Sequence, residues 1–544
     1  MRSSRRVDTW LVTTGAVILG GACCWRLWEQ DVWWQIRAGH DLVATLRLPA
    51  GEEWSYTSRG KPWENIQWLA TVVLWAVHAI GGVTGLIVLR GLLAAALALF
   101  IGRTAWRISG KATVALALIV VAWLACAYRI QVRPDTFVLV VFAALVDLWT
   151  SNATPHRKRT VTFGLIVLAA NLHAGTAPAV AGVAVALLAA SWRSVRSEIG
   201  WLVAFPLACL FTPYHVEFVP ILWRHLFVGD YSIPNPDIRP LSWERFQVAR
   251  FGFTATAWAV LVVLALVVRS MPQGFAPRTP SPWRRGPWSM AALVGLTVMS
   301  IRHDRIVPYS AIFAVPLVAA LLAGRGRRAV GAIASICWLL VPLQLWVFPA
   351  RWGFGEDARI DPVFAVAWIH ENAPQPNILH LAGEGNYLLG HAPEYPVFID
   401  TREAPYRALE DTYAKMVDQP EVMQAVIERW GIQTVLLPMS WFRVPYQGQW
   451  RRAVFLPKKS WALVHFDARW VVLVHRTDAN GPLIEKFEYH FLVPYLPTDS
   501  FAKRVDGTAE SAQRLRDEVE RCLGVWPDSP LCNAARASFA TRPE

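Results

Sequence analysis

Apolar runs long enough to cross a hydrocarbon layer roughly 30 Å thick recur along the first 348 residues of this 544-residue chain, and they constrain its fold most strongly. They lie near 10–28, 83–102, 112–128, 134–150, 160–173, 176–192, 198–213, 252–269, 287–301, 306–324 and 329–348, which predicts about eleven crossings. A soluble core stops growing well before it needs 54% hydrophobic side chains. With 17% charged residues and seven cysteines, the composition also excludes a disordered chain, a coiled coil and a disulfide-dense scaffold. What fits is an α-helical polytopic membrane protein with a water-facing part.

The net charge of +13 does not point to nucleic acid, because basic residues collect in the cytoplasmic loops of membrane proteins. Arg2, Arg5 and Arg6 precede the first run and place the N-terminus in the cytoplasm. The groups Arg103/Arg107/Lys111, Arg157/Lys158/Arg159, Arg193/Arg196, Arg278/Arg284/Arg285 and Arg325/Arg327/Arg328 fall on the same side if the run Ile66–Ile80 does not cross. Gly81 and Gly82 break that run from the next, so it reads as a juxtamembrane helix lying in the interface. The first run is not a cleaved signal peptide, since Arg26, Trp28 and Glu29 follow it directly with no small-residue cleavage site. This topology collects unusual polar residues outside the cytoplasm: Glu29, Asp31, the stretch Arg129 to Asp135, Asn171, His173, Tyr214, His215 and the run Arg302 to Arg305.

From Ala350 onward charged residues become frequent and no later run spans a bilayer. Short β-rich stretches (Pro396–Ile399, Thr434–Leu437, Trp470–His475) alternate with helical patterns such as Glu421–Trp430. The expected division is a membrane domain over 1–349, an external soluble α/β domain over 350–499, and a C-terminal helix and tail over 500–544. Five cysteines sit in or beside apolar runs and read as small buried hydrophobes. Cys522 and Cys532 lie in the external tail and are disulfide candidates in an oxidising compartment.

The candidate chemistry lies at the external ends of the runs. Glu29 and Asp31, two residues apart beside Trp33 and Trp34, can bind a divalent cation or supply a general base, or can simply be interfacial acids. Arg133-Pro134-Asp135 opens a run and fits either a helix start or a phosphate-binding arginine with a second carboxylate. Asn171 and His173 interrupt an apolar stretch, as polar residues lining a cavity do, while Gly175 and Pro178 fit a reversal. Arg90 sits well inside its run, where snorkelling or an anionic headgroup would relieve its cost. Arg302, His303 and Arg305 add positive charge suited to a phosphate or pyrophosphate. Phosphate loops, zinc-protease helices, Cys-x-x-Cys pairs and nucleophile elbows are absent from the sequence.

Several segments taken in order resemble a family. Asp31-Val-Trp-Trp-Gln-Ile-Arg-Ala-Gly39, then Trp54-Ser-Tyr-Thr57 and Gly60-Lys-Pro-Trp-Glu-Asn-Ile-Gln-Trp-Leu69, look like the first external loop of bacterial GT-C-type glycosyltransferase-like membrane proteins. Arg133-Pro134, Asn171-Leu-His173-Ala-Gly175, Arg302 to Arg305, and Val397-Phe-Ile-Asp400-Thr-Arg402 with Tyr406 continue the likeness. Gln35 and Ala174 stand where that family more often has histidine and glycine. The resemblance implies a GT-C-like membrane domain with juxtamembrane helices in the first external loop. It implies transfer of a sugar from a polyprenyl-phosphate carrier to a glycan, lipid or protein acceptor outside the cytoplasmic membrane. Asp31 would be the catalytic base, and Arg90, Arg133, Asn171, His173, Arg302, His303 and Arg305 the substrate and phosphate ligands. Glu29, Asp31 and Asp135 would be candidates to hold magnesium or manganese, and Asp400 and Arg402 candidates in the external domain. A glycan polymerase or ligase of the same fold, a lipid or glycan transporter, and a non-catalytic assembly subunit are the competing readings.

Overall fold

The computed structural model describes residues 2–191, 195–227, 249–270, 281–284, 287–347, 352–442, 445–446, 449–450 and 455–540. The expected boundary at 349/350 lies outside them, as do Arg193, Arg278, Arg285 and the side chains of Arg2, Arg5, Arg196, Arg284 and Arg327. The chain divides into two units: Met1–Glu29, Ala38–Leu48 and Asn65–Gly355 form the first, and Gln30–Arg37, Pro49–Glu64 and Glu356–Glu544 the second.

The first unit is helical. Each of the eleven apolar runs falls wholly or in part in a helix: Arg2–Ala22, Trp68–Ser109, Ala112–Cys126, Pro134–Thr150, Pro155–Leu172, Ala177–Ser191, Val195–Ala208, Ala249–Ser270, Pro287–Arg302, Val307–Ala323 and Arg327–Val347. Four stretches among the described residues are long and apolar enough to cross a membrane: Trp68–Ser109, Ala112–Arg129, Asp304–Ala323 and Arg328–Trp346. Ala112–Cys126 and Val307–Ala323 are apolar and buried on nearly every face, which makes them the centre of the bundle. Gly20 lies so close to the helix Trp68–Ser109 that a Cβ would come within 2.6 Å of the Gly91 carbonyl, the small-residue contact that lets two apolar helices approach. Within Trp68–Ser109 the helical geometry breaks at Gly82, at φ 56° and ψ −151°, a backbone position that glycine takes without a Cβ penalty. The run 66–80 is therefore separated from the following one where the glycine pair predicts.

The second unit carries a four-stranded sheet. β1 (Ile378–Leu379) pairs parallel with β2 (Thr434–Pro438), while a hairpin-like pair β3 (Pro445–Tyr446) and β4 (Gln449–Trp450) stands apart. β6 (Trp470–His475) lies antiparallel between β2 and β5 (Trp461–Phe466), giving the order β1-β2-β6-β5. β2, β5 and β6 are buried almost throughout, which explains their continuous apolar runs in place of strict alternation. Helices Ala382–His391, Arg407–Met416 and Pro420–Trp430 accompany the sheet, and Ala509–Val525 and Pro530–Ala540 are joined by the Cys522–Cys532 disulfide. Pro396–Ile399, expected as a strand, makes only an isolated parallel bridge between Val397 and Ser55. Side chains take the place of a ladder there: His380 Nε2 accepts from the Phe398 N–H at 2.9 Å, and Thr57 Oγ1 donates to the Phe398 carbonyl.

Candidate functional site

In the first unit the helix Arg2–Ala22 stops short of residue 28, and Arg90 accounts for the stop. Its Nε donates to the Cys23 carbonyl at 2.9 Å, its Nη2 to the Trp25 carbonyl, and its Nη1 to Glu29 Oε1 at 2.7 Å. The guanidinium stacks over Trp25 with 4.6 Å to the ring centroid. Glu29 also accepts from the backbone N–H of Trp28 and of Val132, at 3.1 and 3.2 Å. Both charged side chains are fully buried. Arg90 and Glu29 thus differ from their expected roles as phosphate and metal ligands, because each is engaged by the other and by backbone.

A second buried group forms around Asp135, in the first turn of Pro134–Thr150. Arg129 pairs with its carboxylate, and His173 Nε2 lies 3.3 Å from Oδ1. The helix start is held by Thr136 Oγ1, which bonds the backbone of Arg129 and Gln131. Thr176 Oγ1 lies 3.4 Å from His173 Nδ1, and the charge of Arg305 acts on both Asp135 and His173. Asp135 is thus paired with Arg129 and lies within the field of Arg305. Arg302 is exposed at the end of its helix, while Arg133, His303 and Arg305 are half-buried. Tyr128 donates its hydroxyl to the Asp304 carbonyl, fixing the turn that carries Arg305. Asn171 is not part of this group: Oδ1 accepts from Trp68 Nε1 at 2.9 Å, and Nδ2 donates to the carbonyls of Val167 and Phe211, at 2.8 Å each. It ties helices together.

The second unit gathers the motif segments that are far apart in sequence. Asp31 opens the helix Asp31–Thr45 and is half-buried. Thr401 Oγ1 donates to Asp31 Oδ1 at 2.6 Å. Asn386 donates from Nδ2 to Thr401 Oγ1 at 2.8 Å and accepts the Thr401 N–H on Oδ1 at 3.3 Å. Next to Thr401, Asp400 and Arg402 form a forked pair at 2.5 to 3.0 Å, and Tyr406 donates to Asp400 Oδ2 at 2.7 Å. Arg402 Nη2 also meets Glu52 Oε2 at 2.5 Å, and its guanidinium lies between Trp54 and Trp63, 4.0 and 4.5 Å from their centroids. Burial raises Glu52, and Asp400 raises it further against the pull of Arg402. Burial works against the charge of Arg402, but Asp400, Tyr406 and Glu52 hold it above its ordinary value. Asp400 and Arg402 therefore engage one another and Glu52 within a buried cluster.

The chain leaves this cluster through a three-residue turn, Ala404 N–H to Arg402 carbonyl, centred on Glu403 at φ 57°. A non-glycine residue adopts that backbone at a cost of about 1–3 kcal/mol. Trp33 packs edge-on against Tyr387 and His391, and Glu356 accepts the Tyr387 hydroxyl at 2.5 Å. Thr401, Asn386 and Glu52 are site residues that were not singled out from the sequence, whereas Arg129 opened the polar stretch that runs to Asp135. Thr401 sits inside the resembling segment 397–402, which is the one available signal; Glu52 and Asn386 carry none.

Among the described residues no three of His, Cys, Asp and Glu gather in a group able to hold a metal ion. Glu29 is engaged by Arg90, and Asp135 by Arg129 and His173.

No family model matches the chain, and no curated protein matches it significantly. Solved structures do. The oligosaccharyltransferase of Archaeoglobus fulgidus in the apo form superposes with a TM-score of 0.55 at 10% identity, over 85% of this chain and 73% of that one. The same enzyme in complex with Zn and sulfate gives 0.52 at 10% identity, over 97% and 83%. ArnT from Cupriavidus metallidurans in the apo state gives 0.52 at 12% identity, over 87% and 98%. Both proteins are GT-C-type glycosyltransferases. The chain has the fold of the GT-C-type membrane glycosyltransferases.

Proposed function

We propose that the protein is a membrane glycosyltransferase that moves a sugar from a polyprenyl-phosphate carrier to an acceptor at the external face of the bacterial inner membrane. One observation carries the assignment of its base. Of the candidate carboxylates Glu29, Asp31, Asp135 and Asp400, three are buried, whereas Asp31 is half-buried at the start of its helix and accepts the Thr401 hydroxyl. In this reading Asp31 takes the proton of the acceptor hydroxyl as the acceptor oxygen bonds to the anomeric carbon. The bond from that carbon to the carrier's phosphate oxygen breaks with inversion, and polyprenyl phosphate leaves with the electron pair. The basic side chains Arg129, Arg133, Arg302, His303 and Arg305, which the first unit carries at these helix ends, support an anion-binding role. His173 orients against Asp135, and Asn171 has a structural part. No step is routed through a metal.

The eleven apolar helices are assigned as the membrane domain of 1–349, with the N-terminus cytoplasmic and the helix before Gly82 in the external interface. Residues 350–499 and the helix and tail 500–544 are assigned to the external side, together with the loop segments 30–37 and 49–64. Binding of undecaprenyl phosphate to the full chain in nanodiscs tests the carrier assignment. Saturable binding is expected, with undecaprenol lacking the phosphate failing to compete and Arg305→Ala weakening it about tenfold, the value of a lost charged hydrogen bond. Equal binding of phosphate and alcohol would refute it.

A further inference from the structure

We propose that Thr401, held by Asn386, is a positioning residue for Asp31, and that the buried cluster around Arg402 exists to present it; the proposal rests on the reading of Asp31 as the base. The orientation of the hydroxyl follows from its partners. Asn386 Oδ1 accepts the Thr401 N–H, so its amide nitrogen must face Thr401 Oγ1 and donate to it. That leaves the single hydroxyl proton directed at Asp31 Oδ1, 2.6 Å away. A carboxylate accepting such a bond is held in one orientation.

The framework around this contact is built for close approach. Asn386 is fully buried on Ala382–His391, and three glycines of that helix meet the segments it aligns. A Cβ on Gly383 would collide with the Gln30 side chain, and one on Gly385 with the Ile399 carbonyl. One on Gly390 would lie 2.9 Å from the Trp33 ring. The helix therefore lies directly on the residues flanking Asp31 and on the strand-like segment leading to Thr401. On the other side of Thr401, Asp400 and Arg402 turn away into their ion pairs, and Glu403 takes the positive-φ turn. Anchored neighbours on both sides leave Thr401 one direction in which to point.

The test uses the full chain in nanodiscs and dicyclohexylcarbodiimide, which attacks protonated carboxyls, with labelling of the Asp31 peptide followed by mass spectrometry at a fixed pH. Thr401→Val keeps the shape and leaves Asp31 Oδ1 without the hydroxyl that engages it, so the reagent no longer has to break that bond and Asp31 should label about tenfold faster. Thr401→Ser should label as the wild type does. In membranes from cells carrying each variant as the sole copy, transfer of radiolabelled sugar from the cells' own polyprenyl-linked donors should fall at least tenfold for Thr401→Val and recover for Thr401→Ser. Unchanged labelling in a Thr401→Val protein of wild-type thermal stability overturns the contact. Faster labelling with undiminished transfer overturns the positioning role. Wild-type transfer by Asp31→Asn would instead remove the base reading, and the labelling rates would still decide the contact.

Discussion

Arg90 donates to Glu29 at 2.7 Å with neither side chain exposed, and the same guanidinium holds the carbonyls of Cys23 and Trp25. The charge deep in an apolar helix is thus the clamp that ends the first helix and fixes the segment leading to Asp31.

Breaking this pair should cost more than deleting it. Arg90→Met leaves a buried carboxylate without its partner, and about 3–5 kcal/mol of stability should be lost. The double change Arg90→Met with Glu29→Met should recover part of that, because both charges leave together. Thermal unfolding of the purified variants measures both, and a single variant that melts like the wild type would contradict the clamp.

The helices of the first unit were legible because a buried apolar helix writes a long apolar run, and the break at Gly82 because a glycine pair marks it. The role of Arg90 was not, since its partner Glu29 lies in another helix-terminal segment and local sequence carries no sign of the pairing. Glu52 is the sharper case. In sequence it is one acid of a polar loop, yet it is fully buried against Arg402. The motif residues Trp54, Trp63, Asp400, Arg402 and Tyr406 form one cluster; the resemblance pointed to them, and the fold brings them together. Pro396–Ile399 looks β-rich because Val397, Phe398 and Ile399 are buried, yet only Val397 bonds a neighbouring backbone, at Trp54 and Tyr56, while the Phe398 groups are taken by His380 and Thr57.

Arg402→Lys should not behave as a conservative change. Lysine keeps the charge but loses the fork to Asp400 and the planar stack between Trp54 and Trp63. Two buried carboxylates would then share a poorly placed ammonium, and about 3–5 kcal/mol should be lost. Limited proteolysis within 356–540 at moderate temperature reads this out, with cleavage rising sharply in the variant.

Acid should weaken the second unit through His380. Burial holds this histidine down to about 4, and its unprotonated Nε2 accepts from the Phe398 N–H. Unfolded, the same side chain takes a proton below pH ~6.5, which the native one refuses until about 4. The contribution is complete above pH ~6.5 and is lost as the pH falls towards 4, about 3 kcal/mol in all. Melting temperatures across this window should fall for the wild type and fall less for His380→Asn. His465, held down to about 3 by burial, supplies a remaining slope in the variant.

The Cys522–Cys532 bridge closes a short loop, with a sequence separation of 10, and should contribute about 2–3 kcal/mol through the entropy of the unfolded chain. Protein isolated without reductant should leave both thiols unreactive to maleimide, and Cys532→Ser should melt earlier. Two alkylated thiols in the native protein would contradict it.

The central claim is that Asp31 performs the chemistry. Asp31→Asn keeps the shape and the Thr401 contact while removing the base, so the purified variant should bind undecaprenyl phosphate as the wild type does. Transfer of radiolabelled sugar by membranes carrying it as the sole copy should fall by at least 100-fold, the lower range for loss of a general base. Transfer at the wild-type rate, at equal protein abundance, would contradict the account.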